Sequence, residues 1–401
     1  MKATLDIWPA LPISIQASFY KNRADEGDII GALGNRDRIA GINFGGLTHS
    51  KFERCVALMQ QSFPILSSLR LSTIDEETAY VSSDAFLGGS APQLKRVFLS
   101  GIQFPALPKL LSSARGLVDL RLGDISIIGS GSISLEAMVT CLSVLTKLQA
   151  LTISFAWVIS FPFSDLTTQY PIPLTSTVLP ALTDFSSEGP YDYLENFVAR
   201  IDAPLLDYGE LAFYDDETII DTPRVPQFIH RTEMFKSLGG VDVFFSKESA
   251  PRKGRILLYL HSSIGPARFK LMFRCSGLSC QVALMVDTWI QCRALLSHVE
   301  WLQLGGDSLE ELKLWPVPWL GFFEPFTAVQ TLHLSGEVLI PHVAGTLGAL
   351  TEEEAIKVLP TLHTLVLQRS EVVSEADDLL KPFIFARKHS EHPVVVQRED
   401  F

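Results

Sequence analysis

No block of lysines and arginines occurs anywhere in the chain, and the absence matters because the molecule is acidic: 33 basic residues stand against 45 acidic ones, a formal net charge of −12. Such a surface repels a phosphate backbone, so nucleic acid is not expected as a partner. Cysteines are few and odd in number, and Cys55, Cys141, Cys275, Cys280 and Cys292 are too scattered for a disulfide framework. They read as reduced core thiols, which places the chain inside the cell, in cytoplasm or nucleus. An apolar run of membrane-spanning length is also missing. The stretch 281–296 is interrupted by Asp287 and Arg293, and Asp6 and Pro9 break the N-terminal segment before a signal core can build. No membrane contact is expected.

Motifs for chemistry are missing too. No H-E-x-x-H, G-x-S-x-G or P-loop lysine is present. Gly129-Ser-Gly131-Ser-Ile-Ser134 resembles a dinucleotide loop only superficially, since its third glycine is replaced by serine, and it reads as a flexible connection. Cys275, Cys280, Cys292 and His261 lack the tight spacing of a zinc site. The expectation is therefore no enzyme, no cofactor, no metal and no catalytic residue.

What the chain does have is a high apolar content, 47%, with only 19% charged residues, enough to build a large core. It also has a phrase that returns. Leu66-Ser-Ser-Leu69-Arg-Leu71, Leu94-Lys-Arg-Val97-Phe-Leu99, Leu117-Val-Asp-Leu120-Arg-Leu122 and Leu148-Gln-Ala-Leu151-Thr-Ile153 are its early copies. Val299-Glu-Trp-Leu302-Gln-Leu304, Val329-Gln-Thr-Leu332-His-Leu334 and Leu362-His-Thr-Leu365-Val-Leu367 are the later ones. Adjacent copies recur at roughly 23 to 33 residues, close to the leucine-rich-repeat period. The L-x-L alternation places two apolar side chains on one face of a short strand, and no single unit can bury that face alone. Units must stack.

The fold expected is α/β: one leucine-rich-repeat solenoid over residues 1–401, with a parallel β ribbon on its concave face and helices and loops on its convex face. Ser134, ahead of Leu135, Met138, Leu142 and Leu145 at helical spacing, marks one back-side helix. Thr351 followed by Glu352, Glu353 and Glu354, with Pro360 beyond, marks another. Over about 182–296 the phrase degrades. Strand-like runs at Val241–Phe245, Arg255–Leu260 and Ala267–Phe273 are expected to continue the same ribbon as decayed repeats, and a domain boundary near 246–254 is the lesser alternative. Residues from about 379 to 401 form a C-terminal cap.

Residues between the leucines must point away from the core. In this register they include Arg70, Arg96, Phe98, Asp119, Arg121, Trp301, Gln303, Lys313 and His333, a mixture of arginine and aromatics of the kind found at interface centres. For any one of them the plainer alternative is a solvated strand position, with Phe98 and Trp301 tucked under loops. The aromatic run Trp315 to Phe326 reads as packing over the core, with a binding loop as alternative.

Several strings resemble the region that follows the F-box in the large F-box protein family of mushroom-forming fungi. They are Leu5-Asp-Ile-Trp-Pro-Ala-Leu-Pro12, Ala91-Pro-Gln-Leu94, Phe104-Pro-Ala-Leu-Pro108 and Ser134-Leu-Glu-Ala-Met-Val-Thr-Cys-Leu142. To these add Asn196-Phe-Val-Ala-Arg-Ile-Asp-Ala-Pro204, Phe326-Thr-Ala-Val-Gln-Thr-Leu332 and Pro382-Phe-Ile-Phe-Ala-Arg387. The resemblance implies a non-catalytic scaffold like the substrate-recognition part of a ubiquitin-ligase adaptor, holding a protein target on the concave face. The chain begins at what looks like the first segment after the F-box, so the Skp adaptor is not an expected partner. A stand-alone repeat protein serving as decoy, inhibitor or assembly scaffold, or a truncated inactive relative, is the alternative.

Overall fold

The computed structural model describes residues 11–19, 26–74, 79–80, 85–125, 133–155, 175–214, 224–247, 254–275, 286, 289–306, 319–368 and 373–399. The chain divides into two units, residues 1–205 and 206–401, both mixed α/β with mostly parallel strands. In neither does the order of the described strands close into a barrel.

In the first unit the repeated phrase becomes strand after strand. β1 (Ile13–Ser18), β2 (Ile39–Leu47), β3 (Ser68–Thr73), β4 (Arg96–Ser100), β5 (Asp119–Ile125), β6 (Ala150–Phe155) and β7 (Asp184–Pro190) lie side by side in chain order, all parallel. Their register aligns like with like. Leu69, Val97, Leu120, Leu151 and Phe185 form one buried row, and Leu71, Leu99, Leu122 and Ile153 form the next. The first leucine of each phrase, Leu66, Leu94, Leu117 and Leu148, is buried as well. Each such side chain contributes about 1.5–3 kcal/mol on burial, and the rows hold only because every strand supplies its share.

The connections of this unit carry α1 (Glu26–Leu33), α2 (His49–Leu58), α3 (Leu107–Ser112), α4 (Leu135–Leu142) and α5 (Tyr191–Val198). Their length suits the crossovers that parallel neighbours require. At α4 the hydroxyl of Ser134 accepts from the Ala137 amide at 3.2 Å, and Leu135, Met138, Leu142 and Leu145 are all buried. The spacing read from the sequence is the spacing that packs. Gly129 and Gly131 lie outside the described residues.

The second unit departs from this pattern. Its strands are β8 (Tyr208–Tyr214), β9 (Leu238–Lys247), β10 (Gly254–Ser262), β11 (Arg268–Cys275), β12 (Trp301–Gly306), β13 (Thr331–Leu334), β14 (Thr364–Gln368) and β15 (Val395–Glu399). In space they run β8, β11, β10, β9, β12, β13, β14, β15. The runs at 241–273 are strands of the sheet, as expected, but the parallel order does not hold through them: β9 pairs antiparallel with β10, and β10 antiparallel with β11. The cause is connection length. Segments 248–253 and 263–267 are shorter than the dozen or so residues a parallel crossover needs, so each chain reversal returns antiparallel. Because β8 pairs with β11 and β9 with β12, the parallel sequence resumes on both sides of the inserted β10 and β11. The alternative boundary at 246–254 falls inside the β9–β10 pair.

Behind these strands lie α6 (Arg224–Arg231), α7 (Arg293–Leu296), α8 (Trp319–Phe323), α9 (Leu339–Gly348), α10 (Glu352–Lys357) and α11 (Val373–His389). Helix α10 starts with a full capping box, in which Thr351 Oγ1 accepts from the Glu354 amide and Glu354 Oε2 accepts from the Thr351 amide. It ends at Lys357, and Leu359, with a φ of 49°, turns the chain before Pro360. Trp289, Trp319, Phe322, Phe323 and Phe326 are buried and pack ring against ring at 5.4–6.2 Å, so the described half of the aromatic run is core. Trp315 to Pro318 lie outside the described residues.

Arg387 is fully buried on α11. Its guanidinium donates to the carbonyls of Ala355 and Ile356 at 3.4 Å, Pro360 at 3.3 Å and Leu362 at 2.6 Å. These are the orphan acceptors at and beyond the C-terminal end of α10, where a cation is also favoured by the helix dipole. Burial lowers the affinity of Arg387 for its proton, yet guanidinium basicity is high enough that the charge remains. Among the described residues, no helix is long and apolar enough to cross a membrane.

Candidate protein-binding face

Alternation along each strand leaves every second side chain pointing away from the buried rows. Of the nine residues read from the sequence as outward, Arg70, Arg96, Phe98, Asp119, Arg121, Trp301, Gln303 and His333 are all exposed or half-buried at such positions. Lys313 lies outside the described residues.

Strand register brings the first five together. Arg70, Phe98 and Arg121 are direct neighbours on β3, β4 and β5, and Arg96 and Asp119 are neighbours one outward position earlier. The Arg70 guanidinium stacks on the Phe98 ring at 4.2 Å from its centroid, a cation–π contact worth about 0.5–1 kcal/mol at an exposed site. Phe98 is therefore held by its neighbour and is not covered by a loop in that contact. Arg121 Nε donates to Asp119 Oδ1 at 3.0 Å. That hydrogen bond, the charge of Asp119 and, more weakly, Asp184 raise the Arg121 guanidinium above its ordinary pKa. Arg70 and Arg96 have no carboxylate partner among the described residues.

Trp301, Gln303 and His333 belong to the second unit. Gln303 and His333 are cross-strand neighbours, and Trp301 is paired with Gly240. The glycine is what admits the indole: a Cβ at Gly240 would fall 1.8 Å from the Trp301 ring. The ring of His261 lies on the other side of Gly240, with its centroid 5.1 Å from that of Trp301.

Around this tryptophan the antiparallel strands assemble polar groups that the sequence did not single out. One outward row runs Glu210, Lys270, Tyr259, Asp242, Gln303, His333 across β8, β11, β10, β9, β12 and β13. Lys270 Nζ donates to Glu210 Oε1 at 2.7 Å, Tyr208 Oη donates to Glu210 Oε2 at 2.8 Å, and His261 Nε2 lies 2.9 Å from Asp242 Oδ2. Asp242 Oδ1 is buried without a hydrogen-bond partner, beside the outward position of Gln303. The alternation of Val241-Asp-Val-Phe-Phe245 carried a signal for Asp242 facing outward. Nothing in sequence carried the antiparallel register that sets Tyr259, His261 and Lys270 around it.

An aspartate hydrogen-bonded to a histidine is two thirds of a hydrolytic triad. Among the described residues, no hydroxyl or thiol is hydrogen-bonded to His261. No group of three or more metal-ligating side chains is gathered among the described residues. Cys292 is a buried free thiol, its pKa pushed up to about 12 by burial. Cys280 lies outside the described residues.

No protein-family model matches the chain, and a search of curated proteins finds no similar sequence.

Proposed function

We propose that the chain is a leucine-rich-repeat solenoid acting as a non-catalytic, intracellular protein-binding scaffold, with the outward face of its strands as the recognition surface. The observation that carries this reading is the in-register row of Arg70, Phe98 and Arg121, set above rows of buried leucines. Aromatic side chains on a rigid strand floor lose little conformational freedom on binding and supply apolar area, and the arginines supply directed hydrogen bonds, Arg70 from a guanidinium already stacked on Phe98. Trp301 adds a second aromatic anchor in the second unit.

The repeated phrase and the family resemblance make the target-recognition part of a ubiquitin-ligase adaptor the preferred role, and a stand-alone decoy or assembly scaffold the alternative. The test is affinity purification with mass spectrometry from the native cell. The wild type is compared with an Arg96→Glu, Phe98→Ala, Trp301→Ala variant whose circular dichroism matches it. The wild type is expected to enrich a partner that the variant loses by about tenfold or more. Co-purified Skp adaptor supports the ligase role. A variant that retains every wild-type partner overturns the recognition surface.

A further inference from the structure

We infer that the β1–β4 portion of the outward face takes an extended, carboxylate-rich segment of a partner protein. The inference rests on the scaffold reading above and names the chemistry of its partner. Two outward rows cross these four strands: Ser14, Gly41, Ser68 and Arg96 in one, and Gln16, Asn43, Arg70 and Phe98 in the other. Neither contains an acidic residue, in a chain whose net charge is −12. The two cations are both exposed, and neither is neutralised by a carboxylate among the described residues. The acids of the outward strand positions begin only at β5, with Asp119 and Asp124, and continue on β7 with Asp184 and Glu188; Asp119 already holds Arg121, and Asp124 accepts from Ser100.

On β1–β4 the neighbours of the two guanidinium groups, Ser68, Asn43 and Phe98, are uncharged, and Asp119, which faces Arg96 from β5, is engaged by Arg121. Each guanidinium presents a planar fork suited to bidentate pairing with a carboxylate. The stacking of Arg70 on Phe98 at 4.2 Å orients one fork in advance and leaves a half-buried ring beside it for apolar contact. Spacing selects the form of the ligand. Arg96 is paired with Ser68, two residues before Arg70 on the adjacent strand. With strands about 4.8 Å apart and same-face residues about 6.8 Å apart along a strand, the two arginines stand on a diagonal of about 8 Å. Side chains two residues apart on an extended peptide are about 6.8 Å apart, a difference that two long, flexible arginine side chains span. An acid-x-acid spacing therefore meets both.

The probe is a labelled peptide in which glutamate alternates with serine, with a lysine–serine peptide of equal length as control, read by fluorescence anisotropy. The wild type is expected to bind the glutamate peptide, and Arg70→Glu with Arg96→Glu to weaken it about tenfold. Arg70→Lys with Arg96→Lys is expected to weaken it less, since charge remains while the forks are lost. Lys388→Glu, exposed in the last turn of α11 and away from the outward strand positions, is expected to leave it unchanged. Absence of binding to the wild type, or binding indifferent to the double reversal, overturns the inference. The partner from the purification above is then tested on the same variants. A partner lost on Phe98→Ala and Trp301→Ala but kept on the Arg70→Glu, Arg96→Glu double overturns the acidic-segment inference while leaving the scaffold reading intact.

Discussion

The two units use the same alternation for opposite ends. In the first, the outward side chains come from parallel strands, four of which (β3 to β6) carry a copy of the phrase, and Arg70 and Arg96 are left exposed without an acidic partner among the described residues. In the second, the parallel β8–β11 pairing sets Lys270 against Glu210 and the antiparallel β9–β10 pairing brings His261 to Asp242, and both pairs are partly buried. Availability for a partner thus depends on neighbouring strands as much as on residue type. Arg96 stays available because the aspartate across from it, Asp119, is taken by Arg121, whereas Lys270 beside Glu210 is already engaged.

The sharpest test of internally satisfied charge in the second unit is Arg387→Leu. It leaves four backbone acceptors at the end of α10 without their donor, and is expected to destabilise this unit by about 3 kcal/mol or more in urea unfolding. A loss within experimental error would mean that these carbonyls find other donors at no cost.

Alkaline pH compares the two cores. Burial raises Cys141 in the first unit and Cys292 in the second from an ordinary 9.0 to about 12. Folded thiols stay neutral while unfolded ones ionise, so their contribution is intact below pH 9 and declines as pH rises from 9 towards 12. The slope is at most about 1.4 kcal/mol per pH unit for each thiol. Urea midpoints from pH 8 to 10.5 should fall less steeply in Cys141→Ala and in Cys292→Ala, to a similar extent. An unchanged slope would contradict the burial of these thiols.

The smallest effects distinguish the outward faces themselves. Lys270→Ala removes the partner of Glu210 at a site where both side chains are about four fifths buried, and is expected to cost about 1–2 kcal/mol. Arg121→Ala breaks an ion pair whose arginine is half exposed, and is expected to cost less than about 0.5 kcal/mol. Thermal unfolding in low and high salt checks both, with salt sensitivity confined to the Arg121 pair. Equal costs would erase the distinction between an engaged face and an available one.

Much of this was legible because the signal was periodic. The phrases ending at Leu71, Leu99, Leu122, Ile153, Leu304, Leu334 and Leu367 all became strands, and eight of the nine outward residues stand at outward positions. Ser134 and Thr351 announced their helices because capping depends on a few adjacent residues. The grouping of Asp242 with His261, Tyr259 and Lys270 was not legible. Each lies on a different run of chain or at a different register, and their convergence requires the direction of β10 and β11 to be known.

By itself, then, the sequence determined the strands that carry the repeated phrase, and within them which side chains are buried and which face outward, since these follow from local alternation and the need to cover leucine; β1 and β2, which carry no phrase, it did not mark. Tertiary structure alone decided which outward residues become neighbours. It set Arg70 on Phe98, Trp301 over Gly240 and His261 on Asp242, because strand order and direction depend on connection length and on pairing between distant segments, which no local pattern encodes.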